Sequence, residues 1–189
     1  MKKDNREEQP IIISVNEMIQ GTLFDKRIIM LYDEVSMELA EKVTKKLLVL
    51  DSINNNPIIL RINSPGGCCT AGYDIIATMR LLKSPVHTFI SGEACSMAAL
   101  ISVCGDKRYM TSNSTWMAHP AAGGGGHDYL SFKKDRIKFH DMLNKQSDDI
   151  LSKHTKLTKK EIHKQNHGEL WLTANECKRK GIIDIIKQV

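Results

Sequence analysis

Three short apolar runs, at residues 27–32 (RIIMLY), 58–63 (IILRIN) and 86–91 (VHTFIS), alternate with stretches whose apolar residues return at helical spacing. Runs of this length suit strands, and the second reads as a fully buried one. After the first run, Leu39, Val43, Leu47 and Leu50 recur behind Ser36, which stands where an N-cap belongs. After the second, residues 70–83 carry Ile75, Met79 and Leu82 on one face and end at Pro85. Gly92 then precedes an apolar helix of small residues at 96–104. Strand, helix, strand, helix, strand, helix with short connections is the order of an α/β domain built on parallel crossovers.

The rest of the chain adds shorter pieces. Residues 107–110 and 115–118 are strand candidates, and the glycines at 123–126 form a loop. Residues 128–154 are long, charged and helical in pattern, 159–164 form a second helix, and 174–180 a last one that ends at Gly181. Residues 182–186 can close as a strand. Neither an internal repeat nor a linker divides the chain, so one domain over 1–189 is expected, with 1–24 set apart and 122–155 as an excursion from the core.

Composition narrows the function classes. The chain has 189 residues, 41% of them apolar and 26% charged, as in an ordinary soluble protein, and its aromatics are so few (5%) that the core must rest on Ile, Leu, Val and Met. The charged first ten residues are followed by no apolar run long enough for a signal peptide or a membrane span. A cytoplasmic protein without membrane association is therefore expected. The net charge of +5 comes from lysines interleaved with acids, and no RNA-binding motif appears, so a nucleic-acid partner is not expected. Five cysteines, an odd number with no CxxC pair, read as reduced thiols rather than a disulfide framework or a zinc site. No metal and no cofactor is expected.

Three segments carry chemistry. At 92–99 (GEACSMAA) small residues surround the hydroxyl of Ser96 where a strand feeds a helix. The helix dipole is positive there, and the Met97 N–H lies unpaired in the first turn, able to meet an oxyanion. Taken alone, Ser96 reads more readily as a simple N-cap. At 62–67 (INSPGG) two glycines directly after a strand let backbone approach a ligand and free N–H groups for it. At 116–120 (WMAHP) His119 ends an apolar strand, where site residues gather in α/β folds. A lone histidine there reads more readily as structural. The remaining histidines, such as His140, His154, His163 and His167, fall in charged helical stretches and are expected in solvent.

The order Ser-Pro-Gly-Gly, Ser-Met-Ala, apolar-His-Pro, then 169–174 (ELWLTA) and 181–184 (GIID), resembles the proteolytic subunits of the Clp proteases over roughly residues 25–187. The resemblance implies a Clp/crotonase-type α/β fold of stacked βαβ units, with residues of about 122–155 as a protruding helical handle. It implies a serine endopeptidase acting on peptides or unfolded proteins. Ser96 takes the nucleophile's position, His119 the base's, Glu169 that of the third catalytic residue, and Gly67 and Met97 those of the oxyanion-hole amides. Cys68 and Cys69, in the extended stretch 67–69, and Ala122 correspond to strands that hold substrate by backbone pairing. Heptameric or tetradecameric rings and a Clp-type AAA+ ATPase are the implied partners.

Departures from the family pattern are local. Glutamate at 169 replaces the family's aspartate, one methylene longer. His119-Pro120-Ala121-Ala122 replaces a His-Gln-Pro-Leu pattern, and the residues before Arg27 do not resemble the family's N-terminal segment. Three alternatives stay open at this point: a crotonase-type enzyme on the same fold, a non-catalytic or weakly active subunit of a mixed ring, and a phage- or plasmid-borne peptidase such as one that trims capsid proteins.

Overall fold

A computed structural model describes residues 14–121, 130–165 and 168–189. In chain order the elements are α1 (Val15–Asp25), β1 (Ile28–Tyr32), α2 (Met37–Ile53), β2 (Ile58–Ser64), α3 (Cys69–Leu81), β3 (Val86–Cys95) and α4 (Met97–Val103). Then follow β4 (Lys107–Thr111), β5 (Thr115–Ala118), α5 (Leu130–His154), α6 (Lys159–Gln165), β6 (Leu170–Thr173), α7 (Ala174–Arg179) and β7 (Ile185–Lys187). Strands β1, β2, β3, β4 and β7 lie side by side in that order, all parallel.

Burial alternates along the strands. Ile58, Leu60, Ile62 and Ser64 of β2 are buried, while Ile59, Arg61 and Asn63 on the opposite face are half-exposed. The apolar run at 58–63 therefore covers only one face with helices, contrary to the fully buried strand expected from its composition. Residues Ala40, Val43, Leu47 and Leu50 of α2 and Ala71, Ile75, Ile76 and Met79 of α3 fill the covered side. All seven residues of α4 are buried, which makes it the central helix of the domain. Ser36 caps α2 as expected, its Oγ accepting the Leu39 N–H at 3.1 Å.

The most consequential feature is a fork in β3. Its first part, His87 to Ile90, pairs with β4, and its last part, Glu93 to Cys95, pairs with β5. Gly92 stands at the fork with φ 114°, and a side chain there would meet Asn63 Oδ1 at 2.2 Å. The amides freed by the change of partner are met by side chains: Gly92 N–H donates to Ser114 Oγ at 2.8 Å and Glu93 N–H to Asn63 Oδ1 at 3.1 Å. The strand thus continues four residues beyond the expected end at 91. Beyond β5, β6 adds an antiparallel partner, with Ala118 opposite Leu170.

Two ends differ from the sequence reading. Helix α1 has no buried residue and is held by a capping box between Ser14 and Glu17. At the C-terminus Ile182 and Ile183 are buried in a loop, so β7 begins only at Ile185. Arg108 secures that region. Its Nη1 donates to the carbonyls of His154 (2.6 Å) and Gly181 (2.7 Å), and its Nη2 reaches Asp184 Oδ1 at 2.7 Å. Among the described residues no helix is long and apolar enough to cross a membrane.

Candidate active site

The second half of β3 delivers Ser96 into the turn before α4. Its backbone sits at φ 54°, ψ −121°, a region that L-residues avoid. Such a strained strand-to-helix turn lifts a hydroxyl clear of the strand end. Ser96 holds the N-cap position, yet its side chain makes no capping bond, so the cap reading is replaced by an Oγ with no hydrogen-bond partner among the described residues. The turn is held by backbone: Ser96 N–H donates to Met117 O at 2.8 Å, and Ser96 O accepts from Ala99 N–H at 3.0 Å and Leu100 N–H at 3.3 Å.

The Gly-Gly segment is packed against this turn. A Cβ on Gly66 (φ 92°) would lie 2.5 Å from Cys95 O, 2.7 Å from Ser96 Cβ and 2.9 Å from the Met97 nitrogen. Val35 clamps the same segment, its N–H donating to Gly66 O at 2.7 Å while its carbonyl accepts the Cys68 N–H at 2.8 Å. The Gly67 N–H between them is left without an acceptor among the described residues. Met97 N–H, first in α4, is likewise unspent among them. Two unspent donors therefore flank the Ser96 turn.

Cys69 is the first residue of α3 and Cys68 its N-cap. The expected extended stretch over 67–69 therefore holds for Gly67, bridged in parallel to Val35, and for extended Cys68, and stops at Cys69, where the helix begins. The Cys68 amide is already taken by Val35, and its carbonyl accepts the Gly72 N–H at 3.0 Å as helix begins. Both cysteines still line the cleft that holds Ser96 and His119, of about 600 Å³. Ala122 lies outside the described residues.

His119 follows β5 directly and is half-buried. Its Nδ1 lies 2.6 Å from the carbonyl of Pro120. Continuing the Ala118–Leu170 register by one residue sets Glu169 across from His119. The side chains do not meet, however. Glu169 is exposed, and its Oε2 accepts the Trp171 indole N–H at 2.8 Å. Ser96 and His119 share the cleft without a hydrogen bond between them.

Several lining residues were not anticipated. Phe139, His140 and Leu143 of α5 close one side of the cleft, and Glu34 and Pro65 another. His140 and His154 are half-buried rather than solvated, while the side chains of His163 and His167 lie outside the described residues. Their helix carried a charged pattern that masked the short stretch packed on the core, where Tyr73 Oη donates to Leu143 O at 3.2 Å. Cys95 stands beside Ser96 with its side chain buried. Burial and then the nearby Glu93 carboxylate push its thiol up to about 12. All five cysteines are free, and no group of three or more metal-ligating side chains occurs among the described residues.

Comparison with known proteins identifies the family and the fold. The model of the Clp protease family matches residues 14–189. The ATP-dependent Clp protease proteolytic subunit of Streptococcus mutans is 36% identical over 178 residues, covering 90% of this chain and 89% of that one. The subunit of Streptococcus uberis is 35% identical over the same span. Among solved structures, a point mutant of ClpP1 from Listeria monocytogenes superposes with a TM-score of 0.81 at 29% identity, covering 90% of this chain and 96% of that one. The fold is thus of the Clp/crotonase type, and the chain belongs to the Clp protease family.

Proposed function

We propose that Ser96 is the nucleophile and His119 the general base of this Clp-type serine endopeptidase. Ser96 Oγ attacks the scissile carbonyl as His119 Nε2 takes its proton. The carbonyl oxygen becomes an oxyanion facing the Gly67 and Met97 N–H groups. The C–N bond then breaks, His119 returns the proton to the leaving amine, and water repeats the cycle on the acyl-enzyme. One donor of this kind is worth ~3 kcal/mol in the transition state.

The observation that carries the reading is the Ser96 turn: a non-glycine residue at φ 54° with its hydroxyl uncapped. Backbone strain of this kind costs about 1–3 kcal/mol and is kept where a site uses it. Its retention favours a working site over a non-catalytic subunit. Peptides and unfolded protein segments are the proposed substrates. A ring of seven, single or stacked in pairs, and docking of a Clp-type ATPase follow from kinship with the proteolytic subunits rather than from this chain's own contacts.

The test is labelling by a fluorophosphonate probe, together with hydrolysis of a fluorogenic peptide. Wild type should label and turn over, and Ser96→Ala should do neither. Hydrolysis that survives Ser96→Ala would remove Ser96 from the mechanism.

A further inference from the structure

We infer that the backbone carbonyl of Pro120, rather than the Glu169 carboxylate, fixes the tautomer of His119, and that Asn144 on α5 holds that carbonyl in place. The inference rests on His119 as the base and adds the group that orients it.

A carbonyl oxygen only accepts hydrogen bonds. At 2.6 Å from Pro120 O, His119 Nδ1 must therefore be the protonated nitrogen. In the neutral ring that leaves the Nε2 lone pair free, which is the form a base toward Ser96 requires. The usual orienting carboxylate is engaged elsewhere, because Glu169 Oε2 is taken by the Trp171 indole. Two departures in sequence thus act together. The longer acid at 169 turns to the indole two residues on, and proline directly after the histidine supplies the acceptor.

The carbonyl is held from its other end. Pro120 C=O and Ala121 N–H belong to one peptide plane, and the bond is trans, so the two groups point in opposite directions. Ala121 N–H donates to Asn144 Oδ1 at 2.8 Å. Asn144 therefore grips one side of the plane while the His119 ring meets the other. Pro120 adds a φ restricted near about −65°, which removes one rotation that could swing the carbonyl away. Asn144 is itself anchored, since the adjacent Leu143 is buried and its carbonyl accepts the Tyr73 hydroxyl of α3. The chain of contacts runs from α3 through α5 to the imidazole.

Full-length wild type, Glu169→Gln, Asn144→Ala and Asn144→Asp test this, with two readouts. The first is the rate of fluorophosphonate labelling. The second is the ring-nitrogen NMR shifts of His119, which report the tautomer directly. Glu169→Gln should label within about threefold of wild type. Asn144→Ala should label roughly tenfold to a hundredfold more slowly, as a loosened base does. Its His119 shifts should move from the single Nδ1–H form toward a mixture. Asn144→Asp keeps an acceptor oxygen and should restore most of the rate and the shifts. A loss of about 10⁴-fold in Glu169→Gln, the cost of a wrong tautomer in a carboxylate triad, would overturn the inference. So would Asn144→Ala with unchanged shifts. The NMR readout does not depend on Ser96: if wild type fails to label, the nucleophile assignment falls while the tautomer is still decided.

Discussion

Replacing Gly66 by alanine should cripple the site through geometry alone. The new methyl would lie 2.5 Å from Cys95 O and 2.9 Å from the Met97 nitrogen, where real Cβ atoms essentially never come closer than 3.0 Å. The turn and the glycine must therefore separate by at least about 0.5 Å. Neither side can yield cheaply. Gly66 N–H donates to Ser64 Oγ at 3.1 Å, and Gly66 O accepts from Val35. On the other side, Ser96 is tied to Met117 by the sheet. The substitution also forces an L-residue to φ 92°, at a cost of about 1–3 kcal/mol in folding stability. With Met97 N–H as the proposed oxyanion donor, displacing it should remove most of its ~3 kcal/mol and slow labelling of Ser96 by about a hundredfold or more. Timed labelling assays and urea unfolding on the same samples separate the two effects. Gly21→Ala is the control, since a Cβ there meets nothing within 4 Å. It should leave labelling unchanged and stabilise α1 by up to ~1 kcal/mol. If Gly66→Ala labels at the wild-type rate, the packing of this glycine on the proposed oxyanion donor is not what shapes the site.

Other expectations are simpler. Arg108→Ala strips three acceptors of a nearly buried guanidinium and should lower unfolding free energy by about 2–3 kcal/mol; an unchanged urea midpoint would contradict it. The Lys180 ammonium, then the Thr158 N–H and hydroxyl, hold the Glu161 carboxyl at about 2, below the ordinary 4.5. A carboxylate lowered in the folded state contributes stability above its unfolded value and loses it as pH falls through the folded one. Wild type should thus lose more stability than Glu161→Gln between pH 4.5 and about 2, and parallel pH curves would refute this. Burial pushes the thiols of Cys95 and Cys177 up to about 12, so a disulfide reagent at mild alkaline pH should modify exposed Cys68 first and reach these two only after unfolding. Mass mapping that finds Cys177 modified in the native protein would count against this.

The repeating core was legible because its signals are local. Apolar runs and i, i+4 spacing located β1, β2, α2 and α3 to within a few residues, and the order of motifs brought Ser96, His119 and Gly67 to one cleft. What escaped depended on partners distant in sequence. The reach of β3 past Gly92 rests on Asn63 and Ser114 side chains, which no window around 92 contains. Strand β6 is four residues long and exists through its pairing with β5. Helix α1 buries no residue, so periodicity had nothing to find, although Ser14 and Glu17 at capping-box spacing mark its start. The meeting of His119 with Pro120, and of Glu169 with Trp171, is a choice among rotamers after the fold is set, and residue identity alone does not make that choice.

The fork in β3 has a metric consequence. Once its last residues pair with β5, Ser96 and His119 both emerge from the ends of adjacent parallel strands, tied by Ser96 N–H to Met117 O. Neighbouring strands keep a spacing of about 4.8 Å, among the least variable dimensions in proteins. The distance between the proposed nucleophile and base is therefore ruled by the sheet, as rungs rule a ladder. Changes in the loops around the cleft can alter which peptides enter without resetting that gap.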